Sequence, residues 1–246
     1  MEEAAELANY LPLSFKTRNE QEYIAFLWDA FETNYTNGKH QFAFLAYHML
    51  TMSFVYFNIW QIKQNRPTDF IKATYGFSKD NEDTVLSATS PFTFSEISES
   101  AIFRFLKLIE CDNSKIGTYT KLVKDRNASA HPNGVIQYAA QKTLDLQISE
   151  TLRVVDEIQR HSKCVIEDCY RQFLLDSHDP EERQYPDATD QIREALIHEN
   201  YLSQKDIEIC LAYDLTSLST EANYGEMEAL HDTLRSKYSL LADATA

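Results

Sequence analysis

Residues 41–60 run for twenty positions without an Asp, Glu, Lys or Arg. A helix of that composition has no polar face and needs apolar surroundings on every side. Two environments supply them, a bilayer or the middle of a helical bundle. His48, Thr51, Ser53 and Asn58 interrupt the run, and no second segment resembles it. The expectation is therefore a central helix wrapped by others, with no membrane involvement. The wrapping elements are expected to be helices too, because 5 glycines and 6 prolines in 246 residues leave few tight turns for a sheet. Hydrophobic residues at 43% and aromatics at 12% supply a core.

Around that centre the helical period recurs. Ile24, Leu27, Phe31 and Tyr35 predict a helix over about 19–35, with Gly38 as its stop, and the apolar run predicts the next over about 40–64. A short helix near 68–75 is closed by Gly76, and the polar residues 78–91 read as a loop. Thr93-x-x-Glu96 has the capping-box form, and Phe94, Ile97, Ala101, Phe105 and Leu108 predict a helix as far as Glu110. Asp112-Asn113-Ser114 supplies cap residues for a helix with Ile116, Tyr119, Leu122 and Val123 on its apolar side. The longest pattern covers about 135–163, with Leu144, Ile148, Leu152, Val155 and Ile158, and continues to about 175. It is expected to back onto the two aromatic helices near the amino terminus. Pro180 and Pro186 mark 178–188 as a linker, and three shorter helical patterns follow it, one of them opened by Ser203-x-x-Asp206. The fold class is all-α: a bundle over 1–178 and an acidic helical extension over 179–246, which either stands apart or packs on the bundle as one domain.

Charge is unevenly spread. The chain carries −15 overall, which excludes a general nucleic-acid coat. From 176 onward there are sixteen acidic and five basic residues, a local −11, whereas 104–126 holds six basic and three acidic, a local +3. Cys111, Cys164, Cys169 and Cys210 form no C-x-x-C pair and read as free thiols. The acidic start Met-Glu-Glu-Ala-Ala-Glu is unlike a signal peptide, so a cytoplasmic location is expected.

Chemistry concentrates at 121–134, Lys-Leu-Val-Lys-Asp-Arg-Asn-Ala-Ser-Ala-His-Pro-Asn-Gly. Arg126 presents a fork of donors suited to phosphate. His131 is a side chain that gives and takes protons near neutral pH. The Asn127 amide can donate to an oxygen or hold an imidazole in one tautomer. Residues five apart on a helix point roughly 140° away from each other. Pro132 disfavours helical backbone at His131, which lets the histidine leave the helix end toward the arginine. The same residues also describe an ordinary helix C-terminus, where a histidine suits the dipole and Pro and Gly stop the helix.

Arg126-Asn127-Ala128-Ser129-Ala130-His131 resembles the signature of the HEPN superfamily, an arginine followed after four to six residues by a histidine, often with a polar residue directly after the arginine. Pro132 and the basic helix before the motif are similar too. The resemblance rests on about fourteen residues and on helix order over about 19–163, and nothing after Pro180 has a counterpart. It implies a bundle of HEPN type and a metal-independent endoribonuclease without a cofactor. Such an enzyme works as a homodimer whose two motifs face each other in one composite site, in a toxin or anti-phage defence setting. Residue by residue, it implies His131 as general acid/base, Arg126 as holder of the scissile phosphate and Asn127 as accessory polar group. Lys121, Lys124, Arg104 and Lys107 are the basic residues placed to bind RNA. The implied partners are the RNA substrate, a second copy of the chain and a neutralising or regulatory protein. Some members controlled by adenylylation carry a tyrosine two residues after the histidine, where this chain has Asn133. Other members bind without cleaving, so a non-catalytic helical interaction module is the alternative.

Three other features are set aside. Glu228-x-x-His231 has the spacing of a di-iron ligand pair but lacks its second pair. His48 reads as a hydrogen-bonded core histidine. No phosphate-binding glycine loop, dinucleotide fingerprint or serine-nucleophile elbow is present.

Overall fold

The computed structural model describes residues 1–132 and 134–243, without the side chains of 240–243; Asn133 lies outside the described residues. Those residues are mostly helical and form no β-strand, only an isolated bridge between Pro12 and Ser203. They fall into two compact units, Met1–Ala8 with Thr17–Ser162, and Asn9–Lys16 with Lys163–Ala246.

The first unit holds α1 (Arg18–Thr36), α2 (His40–Asn65), α3 (Pro67–Ala73), α4 (Lys79–Ser87), α5 (Asn113–Ala130) and the first part of α6 (Gln141–Ser177). Helix α2 is its axis. It is long and apolar enough to cross a membrane, yet 83% of its most apolar window is buried inside the fold. Its polar side chains are absorbed locally. Thr51 donates to the Tyr47 carbonyl at 2.9 Å, Ser53 to that of Met49 at 2.9 Å and Asn58 to that of Phe54 at 3.1 Å. His48 is 4% exposed and bonded to Glu99, as a core histidine must be. Helix α1 begins in a capping box between Thr17 and Glu20. Aromatic pairs fill the space between elements, with Phe31 against Tyr47 at 5.2 Å and Phe70 stacked on Phe105 at 4.6 Å. The start of α6 does back onto α1: the Tyr35 hydroxyl donates to Asp145 at 2.8 Å and accepts from Gln141 at 2.7 Å.

Three local expectations are corrected. Residues 78–91 are not all loop: α4 forms there, opened by Ser78 accepting from the Asn81 amide. Its one fully buried apolar residue, Val85, makes no period to read. Its last turn is closed from another helix, where Lys63 Nζ donates to the carbonyls of Val85, Leu86 and Ala88. Thr93 is no cap, and no single helix reaches Glu110. Ser90 caps a 3-10 helix Pro91–Glu96, Ile97 is extended, and Glu99–Ile102 and Phe103–Ile109 follow. Phe94, Ile97 and Phe105 are buried all the same, because 3-10 turns also bring every third residue to one side. Residues 135–140 are not helical, and α6 starts at Gln141.

The second unit has its own core, including Tyr170, Leu174, Leu196, Ile207 and Leu230. It holds the rest of α6 together with α7 (Gln204–Leu211) and α8 (Tyr224–Asp243). The capping box of Ser203 and Asp206 forms as expected. The unit boundary falls at Ser162/Lys163, within α6. The prolines of 178–188 do not make a free linker, because Arg183, only 6% exposed, donates to the Ser177 carbonyl at 2.6 Å and pairs with Glu226 at 3.2 Å. His231 is no iron ligand: its Nδ1 lies 2.8 Å from the Tyr170 hydroxyl and its Nε2 2.9 Å from Arg235. All four cysteines are thiols, three of them buried.

Candidate functional site

Helix α5 places the motif. Asp112 opens it, its carboxylate accepting from the Lys115 amide at 2.9 Å. At its far end the His131 amide still donates to the Asn127 carbonyl at 3.1 Å, but ψ of His131 is 143°, so the backbone leaves the helix there as the following proline demands. Gly134 has φ 77°, which a residue with a side chain rarely adopts. Gln41 of α2 then holds both sides of the turn. It donates to the Ser129 carbonyl at 2.8 Å and accepts from the Gln137 amide at 2.9 Å. Tyr138 packs on Phe44 at 4.4 Å. Between these anchors Val135 and Ile136 remain 56% and 69% exposed, and Phe42, beside Gln41, is 60% exposed.

The two charged motif residues face different ways. Arg126 pairs with Glu99 Oε1 at 2.7 Å, and Glu99 Oε2 lies 3.1 Å from His48 Nε2. An ionised carboxylate only accepts, so Nε2 of His48 carries the proton. Burial pushes the Glu99 carboxyl up, but the hydrogen bonds and charges of His48 and Arg126 outweigh it, and the group is held below the ordinary glutamate range. Arg126 and Glu99 line a cavity of about 850 Å³ together with Tyr23, Met49, Tyr56 and Phe92. Burial first, and then the Glu99 charge, push the Tyr56 phenol above its usual value. His131 does not line that cavity; it is exposed, and among the described residues its imidazole makes no hydrogen bond. Asn127 is half-buried between them.

The basic residues divide as well. Lys121, Lys124, Ala128 and His131 are all exposed, and their spacing of three, four and three puts them on one stripe of α5. Arg104 and Lys107 are exposed on the 3-10 helix Phe103–Ile109, where the Arg104 guanidinium lies 5.0 Å from the Phe77 ring centre. Lys115 is committed to Glu157 and His161. Among the described residues no group of three or more His, Cys, Asp and Glu side chains is arranged to hold a metal ion.

Glu99 escaped sequence reasoning, lying 27 residues from Arg126 and 51 from His48. A partial signal existed. Tyr119, Leu122, Val123 and Arg126 stand at i, i+3, i+4 and i+7, so the arginine falls on the apolar stripe and needs an inward partner. Comparison with protein-family models, curated proteins and solved structures finds no match.

Proposed function

We propose that the chain is a HEPN-type endoribonuclease that acts as a homodimer, inside the cell, in a toxin or anti-phage defence role. A 2′-hydroxyl of RNA attacks the adjacent phosphorus, and the products are a 2′,3′-cyclic phosphate and a 5′-hydroxyl. His131 moves the proton, and Arg126 stabilises the charge that builds on the phosphoryl oxygens. Asn127 orients one of them, and Lys121, Lys124, Arg104 and Lys107 draw in the RNA backbone.

One observation carries this reading: His131 stands off the helix end, exposed and unpartnered among the described residues, in line with Lys121 and Lys124. An ordinary capping histidine would spend its ring on the last carbonyls. Because Arg126 turns to the opposite side of α5, one chain does not bring the pair together, and a second copy supplies the missing member. The exposed Phe42, Val135 and Ile136 near the motif are surface that such a copy would cover.

The test is RNA incubated with purified protein in excess chelator. Cleavage is expected, with cyclic-phosphate ends, and the loss in His131→Ala should be about 10²–10⁴-fold. Cleavage indifferent to both His131→Ala and Arg126→Ala would sink the mechanism. The Arg126–Glu99 pair favours a second reading, a non-catalytic binding module in which the arginine serves the cavity. RNA binding without cleavage, in a protein of intact fold, would select it.

A further inference from the structure

The cavity of the first unit is lined by more acid than base. Glu20, Glu96 and Glu99 face it against Arg126 alone, and Arg126 is already paired. A phosphate drawn inside would meet carboxylates, so the interior favours an uncharged group rich in hydrogen-bond donors. Its walls favour a flat one. The rings of Tyr23 and Phe92 meet edge to face at 5.3 Å, and Tyr23 and Met49 are 39% and 41% exposed, which leaves the rim open.

The three carboxylates are not equivalent. Glu20 accepts from the Thr17 amide at 3.2 Å and from Ser90 Oγ at 2.7 Å. Both oxygens of Glu99 are taken by Arg126 and His48. Glu96 is exposed and, among the described residues, makes no hydrogen bond or ion pair. A free carboxylate beside aromatic walls accepts two parallel N–H donors. Of the four RNA bases, guanine presents that pair on one edge, N1–H and N2–H, where adenine, cytosine and uracil offer fewer.

We infer that the cavity is a guanine pocket. The base stacks on the Tyr23 side and sets its Watson–Crick edge on Glu96. The phosphate stays outside the cavity interior, against the 31% of Arg126 left in solvent. The inference rests on the RNA-cleaving reading for its substrate class and adds the base at which cleavage is directed.

Calorimetric titration of the full chain with GMP, AMP, CMP and UMP tests it without requiring cleavage. GMP should bind about tenfold tighter than the other three. Glu96→Gln should erase that preference, and its exposed position keeps the change away from the core. Tyr23→Ala should weaken all four, while Tyr23→Phe should restore them. Equal affinity for the four nucleotides, no binding, or a preference that survives Glu96→Gln overturns the pocket. The two readings fail separately. RNA cleavage without preference at G leaves the nuclease and removes the pocket. Guanine-selective binding in a protein that cuts no RNA leaves the pocket and removes the nuclease.

Discussion

Arg126 and His131 stand five residues apart on one helix and live in opposite conditions. The arginine is on the buried side, paired with a carboxylate that is itself held by a buried histidine. The histidine is on the open side, in line with the exposed Lys121 and Lys124. A group locked by partners contributes stability and position; a group without them contributes little stability and is free to react. The difference teaches that two charged residues of one short motif need not meet within one fold. On the proposed reading, one chain lends the anchored cation and another the exposed base.

Mixing inactive proteins probes that division most sharply. On the proposed reading, Arg126→Ala and His131→Ala chains, unfolded and refolded together, should form mixed dimers in which one of the two Arg126–His131 pairs of the composite site is intact. Activity should return to roughly a quarter of the unmutated level, because random pairing makes half the dimers mixed and each keeps one Arg126–His131 pair of the two in its composite site. No recovery, with mixed dimers present by mass, would place both residues in a single chain's site. The same two substitutions should part company in stability. Arg126→Ala leaves Glu99 with His48 alone and should cost about 1–3 kcal/mol. The exposed His131→Ala should stay within about 0.5 kcal/mol. Equal melting temperatures for the two variants would erase the contrast between the two sides.

Acid offers a finer probe of the anchored side. The Glu99 carboxyl is held below its ordinary value in the folded chain, so its contribution is complete above the unfolded value, about 4.3, and is lost as pH falls through the lower folded value. Urea midpoints measured from pH 6 to pH 3 should fall less steeply for Glu99→Gln than for the unmutated chain; identical slopes would deny the pairing. Smallest of all is the effect of the open stripe. Lys121→Ala and Lys124→Ala should each reduce the dependence of RNA binding on log salt by about 0.7. An unchanged slope would take the stripe out of the RNA path.

The two units differ in how legible they are. In the first, the apolar run and the helical stripes translate into α1, α2 and α5 almost residue for residue, and into α6 from Gln141 onward, because a long period averages over local exceptions. Helix α4 was invisible, since a single buried valine has no period and Lys63 closes it from a distant part of the sequence. In the second unit, Pro180 and Pro186 suggested a linker where Arg183 ties the segment down; prolines forbid certain hydrogen bonds, but they say nothing of what a neighbouring arginine can reach. Within the site, the helix end at His131 was readable from Pro132, and the cavity was not readable at all.

Sequence alone determined that the chain is helical, that 41–60 is a buried axis, and that α5 stops at a histidine pushed off the helix by proline. Those are matters of composition, period and local sterics, each set within a few residues. Only the tertiary structure decided that Arg126 meets Glu99, that Glu99 meets His48, and that a cavity of about 850 Å³ opens beside them. These depend on contacts between helices far apart in the chain, where packing chooses partners that no spacing announces.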